Sequence, residues 1–305
     1  MQSNRKLVIY AALAGNALIA VTKFIAAYLT SSSAMFSEGI HSVVDTGNQV
    51  LLLYGLKRAS QPPDERFPFG HGKEIYFWSF VVAILIFAVG AGISMYEGIH
   101  RLFDPSPVKD FFINYIVLGL AILFEGVAWY FAFREFSRSR GKWGYFEAVQ
   151  RGKDPSTFVV LFEDTAAMLG LVIALVANIL AQHTGMIIFD GIASIIIGLI
   201  LAGTAAWLAW ETKGLLIGER ANLHVIEGIR KIASENEQID HINEVLTMHM
   251  GPDFILVNIS VDFVDPITAV EIERVVSNLD REIKAMYPNI KRVFIEAEAR
   301  HTAQK

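Results

Sequence analysis

Residues 37–49 read SEGIHSVVDTGNQ and lie inside an apolar stretch, between SSSAMF and VLLLYGLK. On a helix turning ~100° per residue, His41 and Asp45 sit one turn apart on a shared face, with Glu38 one turn earlier and within about 60° of both. A second group stands far along the chain: in STFVVLFEDTAAMLGLVIALV, Glu163 and Asp164 are adjacent within another apolar run. An ionisable side chain at the bilayer centre costs at least ~2.5–3.5 kcal/mol on insertion scales, so three on one face need a compensating partner. Lys23 is the one basic residue placed to compensate at that depth. Its long stem lets it snorkel to the nearby membrane surface, so the missing positive charge is expected to be a bound cation. One imidazole with two or three carboxylates suits a divalent first-row metal, zinc above all where the site is tetrahedral. Magnesium and calcium prefer oxygen-only sites, so His41 counts against them. Intramembrane polar residues also serve as interhelical hydrogen-bond glue, and that reading stays open for Glu97 and Glu125, each alone in its apolar block.

These residues need helices to carry them. The chain has 305 residues, 53% of them hydrophobic, with a mean hydropathy of +0.41. Six apolar blocks, at about 7–30, 33–56, 75–100, 111–133, 156–182 and 186–212, are each near the ~20 residues that a spanning helix requires. Basic residues gather on one side. Arg5 and Lys6 precede the first block; Lys57, Arg58, Arg66 and Lys73 follow the second. Arg134, Arg138, Arg140, Lys142, Arg151 and Lys153 follow the fourth, and Lys213 and Arg220 the sixth, against only Arg101 and Lys109 on the opposite side. That asymmetry predicts both termini in the cytoplasm. Ala166, Ala167 and Gly170 would let another helix approach the fifth span closely. A short helix is expected around YFEAVQ in the long basic connection 134–155.

After Glu211 the composition changes. LHVIEGIRKIASENEQ has helical spacing, with Val225, Ile229 and Ile232 on one face. INEVLTMHM and FILVNISVDFV alternate like strands about the turn Gly251-Pro252-Asp253. TAVEIERVVSNLDREIKAMY returns to helical spacing and KRVFIEAEA closes as a strand. The expected architecture is an α-helical membrane protein: a six-transmembrane-helix bundle (1–213) with a small C-terminal cytoplasmic α+β domain of order αββαβ (214–305). The net charge of −5 offers no basic surface for nucleic acid, and the lack of cysteine excludes disulfides, thiolate metal sites and thiol nucleophiles. MQSNRK runs into the first span without a cleavage site or presequence pattern, which favours a bacterial inner membrane.

In this order the motifs resemble the cation diffusion facilitator family of metal/proton antiporters. The likeness rests on His41-x-x-x-Asp45, FGHGKEI at 69–75, YEGIHRLFDP at 96–105, DGIASIIIGLIL at 190–201 and the α+β tail. DPSTFVVLFEDTAAMLG at 154–170 is similar to a subgroup that includes a mitochondrial zinc-transporter branch. The resemblance implies a central transport site with two ligands on the second span and two on the fifth. His41 and Asp45 match the first pair. Glu163 falls on the third position and Ala167 on the fourth, so either Asp164 or water stands in for the missing ligand. The family's loop site is matched by Asp64 and His71, with Phe67 in place of its middle histidine, which implies weak binding at most. Its tail site falls on Asn258, Glu296 and Glu298, with His249 offset, which implies weak binding or none and leaves the tail to hold a homodimer. Lys73 and Glu219 fall where the family places a charge interlock between membrane and tail regions of the two subunits.

The activity so implied is export of a divalent metal from the cytoplasm in exchange for protons. Zinc heads the choice, and manganese, iron and cobalt remain open. Metal binding requires a neutral imidazole and ionised carboxylates, so protons and metal compete for one site. No Walker-type glycine loop for ATP use is present. Two rivals stand beside this reading. An intramembrane metal-dependent hydrolase would use a metal-bound water, but H-E-x-x-H is absent. A membrane-anchored metal sensor would read metal through the tail, which is poor in histidine.

Overall fold

The computed structural model describes residues 2–104, 110–140, 143–145, 148–149 and 155–300. They form two compact units, residues 1–57 with 75–213 and residues 58–74 with 214–305. Of the short helix expected around YFEAVQ, only Tyr145, Ala148 and Val149 are described; the rest, like Lys109, Lys142, Arg151 and Lys153, lies outside the described residues.

Among the described residues the first unit has the long helices α1 (Gln2–Thr30), α2 (Ser33–Ala59), α3 (Glu74–Phe103), α4 (Phe111–Ser139), α5 (Pro155–Thr184) and α6 (Ile188–Ile217). Among the described residues, α3 to α6 each have a stretch long and apolar enough to cross a membrane, and α1 contributes a shorter apolar stretch, Asn16–Thr30. The protein is an integral, multi-pass membrane protein. α2 is less apolar because it carries Glu38, His41, Asp45 and Asn48, with Lys57 and Arg58 at its end. Its buried set includes Ser37, Glu38, His41, Ser42 and Asn48, so this helix turns polar groups toward its neighbours.

Close approaches hold the helices in register. Gly98 of α3 and Gly191 of α6 meet backbone to backbone: a Cβ on Gly98 would stand 2.7 Å from the Gly191 carbonyl oxygen. Small residues permit this contact, and packing gains from it in lipid. α4 and α5 are pinned by Asn114 Nδ2 donating to Asn178 Oδ1 (2.9 Å, buried) and by Trp129 Nε1 donating to Thr165 Oγ1 (3.0 Å). Within α3 the turn Ile86–Ala91 is π-helical, with Gly92 N–H bonded back to the Phe87 carbonyl, five residues earlier.

The second unit has α7 (Leu223–Ser234), β1 (Ile239–Gly251), β2 (Phe254–Phe263), α8 (Ala269–Met286) and β3 (Ile290–Ala297), the expected αββαβ order. β2 is central, antiparallel to β1 and parallel to β3, with α8 making the crossover. Alternate β2 residues Ile255, Val257, Ile259 and Val261 are buried against Val225, Ile229 and Ile232 of α7 and Val275, Leu279 and Ile283 of α8. A capping box starts α8: Thr268 Oγ1 accepts from Glu271 N–H, and Glu271 accepts from Thr268 N–H at 2.8 Å. The Thr268 amide first, then the Thr268 hydroxyl donating at 2.7 Å, hold the Glu271 carboxyl below its usual range. The connection 58–74 belongs to this unit, because Gly72 packs on the main chain of Met250 and Gly251, where a Cβ would strike the Met250 carbonyl.

Candidate metal centre

α2 positions its polar residues by simple periodicity. His41, Asp45 and Asn48 are four and three residues apart and share one face. His41 is buried, and its Nε2 lies 3.4 Å from Asp45 Oδ2. Among the described residues neither His41 ring nitrogen finds a hydrogen-bond partner, and Asp45 Oδ1 and Asn48 Oδ1 are likewise buried and unbonded. Polar atoms left unmet in the interior cost free energy, so a native chain rarely gathers several in one place without a use for them. Across from them, Glu163 of α5 is buried, and its Oε1 accepts from Asn48 Nδ2 at 2.5 Å. Asp164, about 100° further round α5, lies within electrostatic reach of Glu125 on α4. Asp45 in turn lies in the fields of Glu163, Glu125 and Asp164. Ala167, buried, offers only a methyl group.

The structure therefore joins α2 to α5 through Asn48 and Glu163, and keeps His41–Asp45 as a neighbouring pair. Among the described residues no three histidine, aspartate or glutamate side chains converge on one point.

One expectation is corrected. Lys23 does not reach the membrane surface: it is fully buried, and its Nζ donates to Glu38 Oε2 (3.1 Å) and Ser42 Oγ (2.8 Å), with Glu125 Oε1 at 3.9 Å. A short route to a carboxylate prevails over the longer route to water, and Glu38 has its countercharge within the protein. Glu125, read as alone in its span, faces that same ammonium. Glu38 Oε1 is buried and unbonded and points at Gly170 of α5, where a Cβ would overlap it.

Three residues were missed. Asn48 shares the His41 face at seven residues' spacing and was detectable by that periodicity. Asp190, at the start of α6, accepts from Ser32 Oγ (2.5 Å), Ser33 N (2.6 Å), Ser33 Oγ (2.8 Å) and Ala34 N (3.3 Å). It satisfies the N-terminal amides of α2 from 157 residues away in the chain. Arg101 Nε stands 3.4 Å from the same carboxylate. No local signal marks that meeting. Glu97 is half-buried and lines a cavity of about 390 Å³ with Arg101, Ser31 and Ser32.

In the second unit His71, buried, has Nε2 2.9 Å from Asp64 Oδ2, and Asp64 Oδ1 accepts from the amides of Arg66 (2.9 Å) and Phe67 (2.7 Å). The His71 bond first, then the Phe67 amide, hold the Asp64 carboxyl below its usual range. Phe67 lies against His71 with ring centroids 4.6 Å apart and planes tilted by 51°. Lys73 Nζ lies 3.6 Å from Met248 Sδ, and partial burial lowers its pKa; Glu219 O accepts from His249 N–H at 3.1 Å. Asn258 sits opposite Leu246 and Phe294 in the sheet, Glu296 pairs with Ser260, and Glu298 accepts from Ser260 Oγ at 2.8 Å.

Comparison with known proteins gives the family. A profile of the cation efflux transmembrane domain matches residues 9–217. The proton-coupled zinc antiporter SLC30A9, mitochondrial, of Mus musculus is 33% identical over 84% of this chain and 46% of its own length. Metal tolerance protein C4 of Arabidopsis thaliana is 30% identical over 81% of this chain and 55% of its own. The manganese efflux system protein MneP of Bacillus subtilis (strain 168) is 22% identical, over 96% of this chain and 95% of its own. The chain spans about half the length of the first two relatives. It belongs to the cation efflux family, also called the cation diffusion facilitators, which is a family of transporters and not of enzymes.

Proposed function

We propose that the protein exports divalent transition-metal ions, zinc foremost, from the cytoplasm in exchange for protons, and that His41, Asp45 and Glu163 take the ion with Asp164 or water completing the shell. The observation that carries this reading is the buried His41 ring with both nitrogens unbonded beside Asp45. A metal would meet those atoms. Glu163 is poised on the facing helix, held toward α2 by Asn48. Rotation of the carboxylates about their side-chain bonds would bring them to the ion, whose two positive charges offset their mutual repulsion. Protons arriving from the other side would bind the same imidazole and carboxylates and release the ion.

In this reading α1 to α6 are all membrane spans with both termini in the cytoplasm, residues 1–213 carry transport, and residues 214–305 form a dimerising, regulatory domain. The Asp64–His71 pair is then a clasp within its loop, since both carboxylate oxygens already have protein partners. Lys73 and Glu219 would lock the two subunits. The 154–170 motif and the identity to the mouse zinc antiporter support a place in the branch with the mitochondrial zinc transporters. Manganese is the second choice, from the manganese efflux relative and the carboxylate-rich fifth helix.

The test is uptake by proteoliposomes across zinc, manganese, iron and cobalt, with internal pH recorded, for the parent, Asp45→Ala and Glu163→Ala. The parent should move zinc fastest with a matching proton flux, and both variants should fall to the vesicle background. Unchanged flux in both variants rejects this ligand set. Loss with Asp45→Ala alone moves the third ligand to Asp164.

A further inference from the structure

Three helices other than α5 bring charge to one point beside the His41–Asp45 pair. Glu38 Oε2 and Ser42 Oγ come from α2, Glu125 Oε1 from α4, and the ammonium they surround is Lys23 of α1, at 3.1, 2.8 and 3.9 Å. Lys23 and Glu38 are both completely buried. A buried ion pair seldom repays its desolvation when apolar side chains could fill the same space. Its place next to His41, with Glu38 three residues before that histidine and Ser42 directly after it, calls for another account. The ammonium donates to Ser42, the residue that follows His41 on α2, and so lies alongside the His41–Asp45 pair. Gly170 leaves room for the second Glu38 oxygen against α5, so the acid is seated between helices and turned away from lipid.

We infer that Glu38, Ser42 and Glu125 form a second cation position next to the transport site, which Lys23 fills as a tethered ammonium, so that the chain accepts one cargo ion fewer than its acids could hold. This rests on the transport-site reading above and adds to it a specificity residue on α1. The donor set is all oxygen, with two carboxylates and a hydroxyl, which suits a hard cation such as Mn2+ once the ammonium is gone. Lys23 thus blocks that position by occupying it, and it cannot be transported because its stem holds it to α1.

The experiment counts metal ions bound per chain by equilibrium dialysis on detergent-purified full-length protein at about pH 8, where free carboxyls are ionised. Zn2+ and Mn2+ are used separately. Lys23→Ala should bind one Mn2+ more than the parent, and adding Glu125→Gln should remove that extra ion while leaving the parent's count. A Lys23→Ala count equal to the parent's with both metals overturns the inference. Should Lys23→Ala be unfolded without added cation, the inference requires methylammonium or Mn2+ to restore its melting transition, and failure of both overturns it. A parent that binds neither metal sinks the transport-site reading and this inference together, whereas a parent that binds metal with no gain in the variant sinks this inference alone.

Discussion

The first turn of α2 and its middle differ in how they treat buried polar atoms. At the start, both oxygens of Asp190 are taken up by the hydroxyls and amides of Ser32, Ser33 and Ala34, with Arg101 beside them. Further along, Glu38 Oε1, both His41 nitrogens and Asp45 Oδ1 find no hydrogen-bond partner among the described residues. In the first arrangement the Asp190 carboxylate accepts two hydrogen bonds at each oxygen and has no lone pair left for a cation, although among the described residues Arg101 Nε and Nη2 beside it find no hydrogen-bond acceptor. The second is stable only because the rest of the helix holds it, and its free lone pairs are what a passing cation would use. Satisfaction at one end anchors the helix that presents dissatisfaction in the middle.

The contrast is broken most sharply at His41. With His41→Ala, zinc flux into proteoliposomes should fall by more than about 100-fold, beyond the loss typical of residues that only support a ligand. Thermal unfolding should become easier by no more than about 2–5 kcal/mol, the cost of the cavity a buried side chain leaves, because no hydrogen bond to a described residue is lost with the ring. Asp190→Ala should act through stability instead. It strands Arg101 and the first amides of α2, so unfolding in detergent should become easier by about 3–5 kcal/mol. Flux per folded molecule should be retained. An Asp190→Ala protein as stable as the parent would show that the saturated end anchors nothing.

The smallest effect belongs to the loop clasp. Asp64 is held below its ordinary range in the folded loop, so its contribution is fully present above the unfolded value of about 3.9 and disappears as pH falls through the lower folded value. Amide exchange at Arg66 and Phe67 should therefore speed up as the solution is acidified below about pH 4, beyond the change in intrinsic exchange rate. In Asp64→Asn that additional acid-dependent step should be missing. If the step persists, the clasp is held by something other than the carboxylate.

The His41–Asp45 pairing was legible because a helix brings residues four apart together whatever else surrounds it. The aliphatic core of the small domain was legible for the same reason, from the spacing of Val225, Ile229 and Ile232 and the alternation along β2. Lys23 was misjudged. A lysine stem reaches either lipid headgroups or a neighbouring acid, and the pattern of α1 alone contains no information on which lies nearer. Asn48 was within reach of periodicity but has an ordinary amide that nothing in the linear pattern singles out. The loop 58–74 reads as a connection between spans, yet it packs with the small domain because Gly72 allows close contact with the strand end at Met250 and Gly251.

Local order in the chain determined the helices, the apolar stretches that cross the membrane, the αββαβ tail and the one-turn pairing of an imidazole with a carboxylate. These depend on periodicities of two and 3.6 residues, which any stretch of sequence displays by itself. The tertiary structure alone decided that Lys23 neutralises Glu38, that Asn48 ties α2 to Glu163 and that Asp190 caps α2. Hydrogen bonds and ion pairs act over about 3 Å, and partners on different helices, here 15, 115 and 157 residues apart, come within that distance only when whole helices have packed.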